Sequence, residues 1–290
     1  MVTATELLHE MVRRDGVDLY ITAGLPASFR TNAGLERHDE VLNPEAIDQL
    51  IRQLLTHEQY AEFTEAKEFN AAYSMEDGAR FRLNMFMQKQ APGMVIRRIS
   101  TTIPALEDLK VPPLYRDLIM EKRGLVLLVG ATSSGKSSSL AAMLGYRNRH
   151  SKGHIITIED PVEFIHEHAE SIITQRDVGI DTESFGAALK NALRQSPDVV
   201  LIGEIRDREA MEHAINFAET GHLCLATLHS NNASQTVERI LSFFPEDKQR
   251  QVYMNLALNL KAVLAQRLVP NKHGGRSLAA EIMINQGLIK

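Results

Sequence analysis

Between Leu125 and Leu144 the chain reads LVLLVGATSSGKSSSLAAML. Five apolar residues, Leu125 to Val129, predict a buried strand, and Leu140, Met143 and Leu144 carry the i, i+3, i+4 spacing of a helix packed on a sheet. Between them stands Gly130-x-x-x-x-Gly135-Lys136-Ser137, a P-loop pattern in the strand–loop–helix order that gives it meaning. A Gly/Ser turn with a solvated lysine would fit the pattern but not these flanks. Glycines let the backbone curl so that N–H groups converge on one phosphate chain, and the helix N-terminus adds its partial positive charge. The predicted cradle is therefore Gly130, Ala131, Thr132, Ser133, Ser134, Gly135, Lys136, Ser137 and Ser138. Lys136 reaches the β/γ-phosphates of ATP and the Ser137 hydroxyl is a ligand for Mg²⁺.

At 290 residues there is room for two domains. Apolar content of 44% and charged content of 24% are those of a soluble globular protein. The net charge of −5 argues against a nucleic-acid groove as the main business of the molecule. The single Cys224, in the apolar run HLCLATL, reads as a buried thiol in a reducing compartment. The first 20 residues mix Glu, Arg and Asp with short apolar steps, unlike a secretory leader, and no apolar run approaches the roughly 18 residues of a spanning helix. The expectation is a cytoplasmic protein that meets a membrane only through a partner.

Along the chain, Leu7, Leu8, Met11 and Val12 predict a helix over 4–14, Pro44 opens a second over 44–56, and a third follows at 57–66. The period then changes. Phe81, Leu83, Met85 and Met87 alternate with Arg80, Arg82 and Asn84, a half-buried strand over 79–87; Gln90-Ala-Pro-Gly93 reads as a hairpin turn and Met94 to Ile99 as the return strand. This α+β block ends near 100. Residues 101–113, with Pro104, Pro112 and Pro113, read as a linker, and an α/β pattern follows over 114–290 with strands near 125–129, 154–158, 199–203 and 223–228.

An open parallel sheet binds ligands at the carboxyl ends of its strands. Here strand 125–129 leads into the P-loop, strand 154–158 into Glu159-Asp160-Pro161-Val162-Glu163, strand 199–202 into Gly203-Glu204, and strand 223–228 into His229. Each has an ordinary reading alone, as a turn, a helix-start acid or a strand-end histidine; four consecutive strands delivering them to one edge do not. A nucleotide hydrolase needs an acid near the metal and a group that orients water. Gly203 occupies the place where the acidic strand of P-loop proteins usually carries Asp, so either Glu204 works on the Mg²⁺ shell or another acid does. Glu163, on a loop stiffened by Pro161, is the better candidate for orienting water.

The P-loop together with TIEDPVE (157–163), VVLIGEIRD (199–207) and TGHLCLATLHSNNA (220–233) resembles the secretion ATPase superfamily, and within it the type IV pilus retraction ATPases, the PilU-like branch ahead of the PilT-like one. The resemblance spans nearly the whole chain, including RFRLNMF at 80–86. It implies a PAS-like N-terminal domain over 1–100, a RecA-like motor domain over 114–290, and a homohexamer binding ATP between the two. It implies that Glu159, Asp160 and Glu163 form the family's acidic box, that Glu204 is its Walker B acid, that His222 and His229 form its histidine box, and that Arg80, Arg82 and Arg97 are brought toward the phosphates. Arg80 and Arg82 lie two apart and so share one face of a strand. The implied partners are the inner-membrane platform protein of a type IV pilus and a PilT-like ATPase, with no nucleic acid.

Two departures stand out. The family usually has Gly-Ser-Gly-Lys in the P-loop, and here Ser133 replaces the first of those glycines; a positive φ there would strain a serine. Family members also continue past this point with an AIRNLIRE-type stretch, and these 290 residues hold none. An assembly ATPase of pili or type II secretion would usually carry a four-cysteine zinc site, against one cysteine here. A DNA-dependent ATPase would want a basic, aromatic-lined channel, against no Trp and 6% aromatics. A low-turnover ring subunit coupled to a stronger motor is the remaining alternative.

Overall fold

A computed structural model describes residues 2–31, 33–99, 102–272 and 276–286. The chain divides into two units, 1–101 and 102–290. The first runs α1 (Ala4–Arg13), β1 (Asp18–Thr22), β2 (Pro26–Thr31), β3 (Gly34–Val41), α2 (Pro44–Leu54), α3 (His57–Ala66), β4 (Glu68–Ser74), β5 (Arg80–Gln88) and β6 (Ala91–Ile99). Each helix starts where a side chain can satisfy its free N–H groups. Thr3 and Thr56 form capping boxes with Glu6 and Gln59, and Asn43 caps α2 ahead of Pro44. The strands form one antiparallel sheet, ordered β3-β2-β1-β6-β5-β4. Leu7, Leu8 and Met11 of α1 and Ile47, Leu50 and Ile51 of α2 bury against Leu19, Phe81, Leu83, Met85 and Ile96 on one face.

The β5–β6 turn is tighter than the sequence reading had it. Lys89 (φ +48°) and Gln90 (φ +64°) make a two-residue turn with both φ positive, whose twist matches that of the flanking strands. Pro92 and Gly93 therefore lie inside β6, paired with Met87 and Phe86. Gly93 is needed for space: a Cβ there would come within 2.9 Å of the Phe86 ring.

The second unit runs α4 (Leu114–Ile119), β7 (Gly124–Val129), α5 (Lys136–His150), β8 (Gly153–Glu159), β9 (Ser171–Asp177), α6 (Phe185–Ala192), β10 (Val199–Ile202), α7 (Arg208–Glu219), β11 (Leu223–Leu228), α8 (Ala233–Ser242), α9 (Glu246–Asn259), β12 (Leu260–Pro270) and β13 (Arg276–Ile284). Residues 102–113 go with this unit, and Leu106 is buried against Tyr115 and the α5 residues of its core. The sheet order is β13-β12-β7-β11-β10-β8-β9, parallel except for the β12–β13 hairpin. In this unit the sequence pattern did not reveal β9, β12 and β13, so the strands that deliver the site are not consecutive: β9 falls between β8 and β10 in chain order.

Both faces of this sheet are covered. Leu125, Leu127 and Val129 point into a core shared with α6, α7, α8 and α9, while Val126 and Leu128 point into one shared with α4 and α5. All five are fully buried, each contributing on the order of 2 kcal/mol. That is why the strand reads as a continuous apolar run rather than an alternation. Cys224 lies in the first of these cores, where burial pushes its thiol pKa well up and leaves it inert.

Candidate nucleotide site

The loop between β7 and α5 has the backbone a phosphate cradle requires. Gly130 sits at φ +150°, with room for nothing more: a Cβ would meet the Gln266 carbonyl oxygen at 2.4 Å and Ser134 Oγ at 2.5 Å. Gly135 enters α5 at φ +89°. Ser133 adopts φ +61°, the left-handed conformation that strains a serine. Lys136 opens α5, and its ammonium donates to the carbonyl oxygens of Gly130 (2.8 Å) and Ala131 (2.9 Å). Burial lowers the Lys136 pKa, while the Glu204 and Glu163 carboxylates act in the opposite sense.

Beside this loop lies a cleft of about 210 Å³. Thr132, Ser133, Lys136 and Ser137 line it from the P-loop and α5; Glu159, Asp160 and Glu163 from the segment after β8; Gly203 and Glu204 from the end of β10; and Thr227 and His229 from the end of β11. The topology accounts for this convergence, because parallel strands present their carboxyl ends on one edge.

Within the cleft, Glu204 is held at both oxygens. His229 Nε2 lies 3.2 Å from Oε1, and Arg206 Nε donates to Oε2 at 2.7 Å. Arg206 also donates to Asp160 Oδ2 at 3.0 Å, tying the β10 and β8 loops together. Thr227 Oγ1 donates to the Gly203 carbonyl at 2.6 Å and so joins β11 to the same point. The Glu159 carboxyl pKa is pushed up to about 7, chiefly by burial and further by the nearby Glu163 and Asp177. His166, also lining the cleft, is pushed down to about 4 by burial, so its ring is neutral at ordinary pH.

Arg206, Thr227 and His166 were not picked out from the sequence. Arg206 had a signal, since it stands two residues after Glu204 beside an acidic loop. Thr227 and His166 had none, because neither type at that spacing implies a ligand.

The structure does not bring every expected residue to this cleft. His222 precedes β11 and His229 follows it, so the strand's length, about 20 Å, separates them. His222 instead bonds through Nδ1 to the Phe217 carbonyl and the Thr220 hydroxyl at that far end. Gly130, Ala131, Ser134, Gly135 and Ser138 shape the loop without lining the cleft. Arg80, Arg82 and Arg97 belong to the first unit's sheet. Arg82 on β5 pairs directly with Arg97 on β6, Arg80 lies two residues from Arg82, and all three share the face opposite the helices. Arg97 Nε donates to Asp18 Oδ1 at 2.8 Å.

The oxygen donors fit a small hard cation: the Ser137 hydroxyl with carboxylates at two neighbouring strand ends is a set that suits Mg²⁺. Among the described residues no helix is long and apolar enough to cross a membrane.

Residues 67–283 match the family model described as "Type II/IV secretion system protein". The chain is 53% identical to the type IV pilus ATPase PilU of Pseudomonas aeruginosa over 285 residues, 98% of this chain and 75% of that protein. It is 38% identical to the type IV pilus retraction ATPase PilT of the same organism, over 99% of this chain and 83% of that protein. A crystal structure of the pilus retraction motor PilT with bound ADP superposes with a TM-score of 0.94 at 37% identity, covering 100% of this chain and 85% of that one.

Proposed function

The chain belongs to the type II/IV secretion ATPase family, in its PilT/PilU group of type IV pilus ATPases, and from that premise we propose that it is a homohexameric motor whose ATP hydrolysis drives pilus retraction and twitching. The observation that carries the reading is the single cleft into which four strand ends deliver an ammonium, a hydroxyl, carboxylates and an imidazole.

In this reading the P-loop N–H groups and Lys136 bind the phosphate chain of ATP. Glu163 orients the attacking water and takes its proton. His229 and Arg206 engage Glu204 at its two oxygens. Ser137 and the strand-end acids would hold Mg²⁺, which would supply charge neutralisation at the phosphates. Arg80, Arg82 and Arg97, on the first, PAS-like domain, supply further positive charge. The second, RecA-like domain is the motor. The ring works in the cytoplasm against the inner-membrane platform protein of the pilus. Lys136→Ala abolishes turnover, because electrostatic stabilisation at such a site is worth on the order of 3 kcal/mol. Purified protein assayed for ATP turnover alongside native mass tests both halves; wild-type rates in Lys136→Ala, or a fully active monomer, refute them. A deletion strain keeps its pili and loses twitching, whereas loss of surface pili would make this an assembly motor.

A second reading is favoured by one observation, the strained φ of Ser133. It makes the chain a slow accessory ring that depends on a PilT-like ATPase. Turnover measured with and without such a partner separates the two.

A further inference from the structure

In P-loop enzymes the Mg²⁺ is shared between the P-loop hydroxyl and an aspartate at the end of the acidic strand. Here that strand is β10, and the residue after it is Gly203. The glycine is not there for its backbone freedom, because Gly203 is absent from the residues with positive φ. Space demands it. A Cβ on Gly203 would stand 3.0 Å from Glu159 Cα, 3.3 Å from Glu159 Cγ and 3.2 Å from the Ile158 carbonyl oxygen. The β8 backbone and the start of the Glu159 side chain therefore occupy the volume where an acid at 203 would begin.

The register makes this approach a built feature. Ile202 pairs with Ile158 across the parallel β10–β8 ladder, so Gly203 and Glu159 are neighbours just beyond it. Gly203 N–H donates to the Ile158 carbonyl at 2.8 Å, and Val178 N–H donates to the Glu159 carbonyl at 2.9 Å from the other side. Glu159 lines the same cleft as Lys136 and Ser137.

Glu204, the other carboxyl at this edge, is engaged at both oxygens by His229 and Arg206. Glu159 has no such ion pair among the described residues, and it faces the same cleft as Glu163.

We propose that Glu159, reaching across from β8, supplies the cation-facing carboxylate that P-loop enzymes carry at the position of Gly203, and that Glu204 is instead a positioning residue for His229 and Arg206. The acid has moved one strand over, and Gly203 is the mark it left. The proposal rests on the reading of the cleft as an ATP site.

The test is the Mg²⁺ dependence of binding of a fluorescent ATP, N-methylanthraniloyl-ATP, to the full chain, with binding in excess EDTA measured beside it. In Glu159→Gln the half-saturating Mg²⁺ concentration rises roughly 10- to 100-fold, the range for losing a group that supports a metal. Binding in EDTA stays as in the wild type, and Glu204→Gln moves the Mg²⁺ midpoint less. Returning the acid to its usual strand gives a second arm that does not depend on one variant folding. Glu159→Gly combined with Gly203→Asp recovers the Mg²⁺ midpoint that Glu159→Gly alone loses. An unmoved Mg²⁺ midpoint in a Glu159→Gln protein that still unfolds cooperatively overturns the proposal, as does a cooperatively folded paired variant no better than Glu159→Gly. Wild-type protein that binds no nucleotide, with or without Mg²⁺, overturns the underlying reading as well, and so the two failures are told apart.

Discussion

Replacing Ser133 by glycine tests whether the P-loop stores strain. Ser133 sits at φ +61°, where an L-residue pays roughly 1–2 kcal/mol for the approach of its Cβ to the following carbonyl. Its side chain is exposed, so little packing is lost on removal. Glycine abolishes the strain but adds back about 0.5–1 kcal/mol of unfolded-chain entropy. The net expectation is stabilisation of about 0.5–1 kcal/mol. For a protein of this size 1 kcal/mol moves a melting midpoint by about 2–4 °C, so Ser133→Gly melts about 1–4 °C higher. Ser133→Ala keeps the Cβ and gains nothing, which separates relief of strain from loss of the hydroxyl. If the strain also depopulates the phosphate-ready loop, Ser133→Gly turns over ATP faster, by no more than about fivefold for 1 kcal/mol. Thermal melts and steady-state turnover of the three proteins are the assays. A glycine variant that melts at or below the wild type, or an alanine variant that matches the glycine one, refutes the argument.

Glu163→Gln keeps its shape and loses its basicity, so it binds ATP normally and turns over at least about 100-fold more slowly; equal rates for variant and wild type would remove Glu163 from the role of base. Arg82→Ala lowers turnover far more than ADP affinity, on the scale of the roughly 10³-fold an arginine can supply to phosphoryl transfer, as parallel titrations and rate measurements would reveal. The raised Glu159 pKa has a stability signature with a definite sign. Between 4.5 and about 7 the folded protein holds a proton that the unfolded chain has released, so its contribution falls as pH rises through that window. His166, depressed from 6.5 to about 4, contributes in the opposite sense over an overlapping range. The difference in melting midpoint between Glu159→Gln and wild type cancels the histidine, and it is more favourable to the variant at pH 8 than at pH 5; the reverse order would exclude a buried proton on Glu159.

What was legible in the sequence was local. The P-loop with its flanking strand and helix is encoded within 20 residues, and the acids after β8 and β10 follow directly from apolar runs. The β12–β13 hairpin escaped because Leu260–Pro270 interrupts its apolar run with Lys261, Gln266 and Arg267, and nothing local says that it pairs with β7. Gln266 earns its place only in three dimensions, where its amide donates to Tyr115 and Ser139 at 2.9 Å each beneath the P-loop. The separation of His222 from His229 could have been read from the chain, since seven residues across an extended strand span about 23 Å. The proximity of Glu159 to Gly203 could not, because parallel pairing of residues more than 40 apart leaves no periodic trace.

β7 has all of its side chains buried, alternating between two separate cores, and a bonded neighbour on either edge. It is clamped in every direction in which a strand can move. A phosphate chain bound at its tip would therefore meet a fixed point, and any displacement there would be taken up by the loops hung on the strand ends. Arg206, bonded to Asp160 of the β8 loop and to Glu204 of the β10 loop, is a tie rod: a displacement of either loop would have to stretch one of its two bonds.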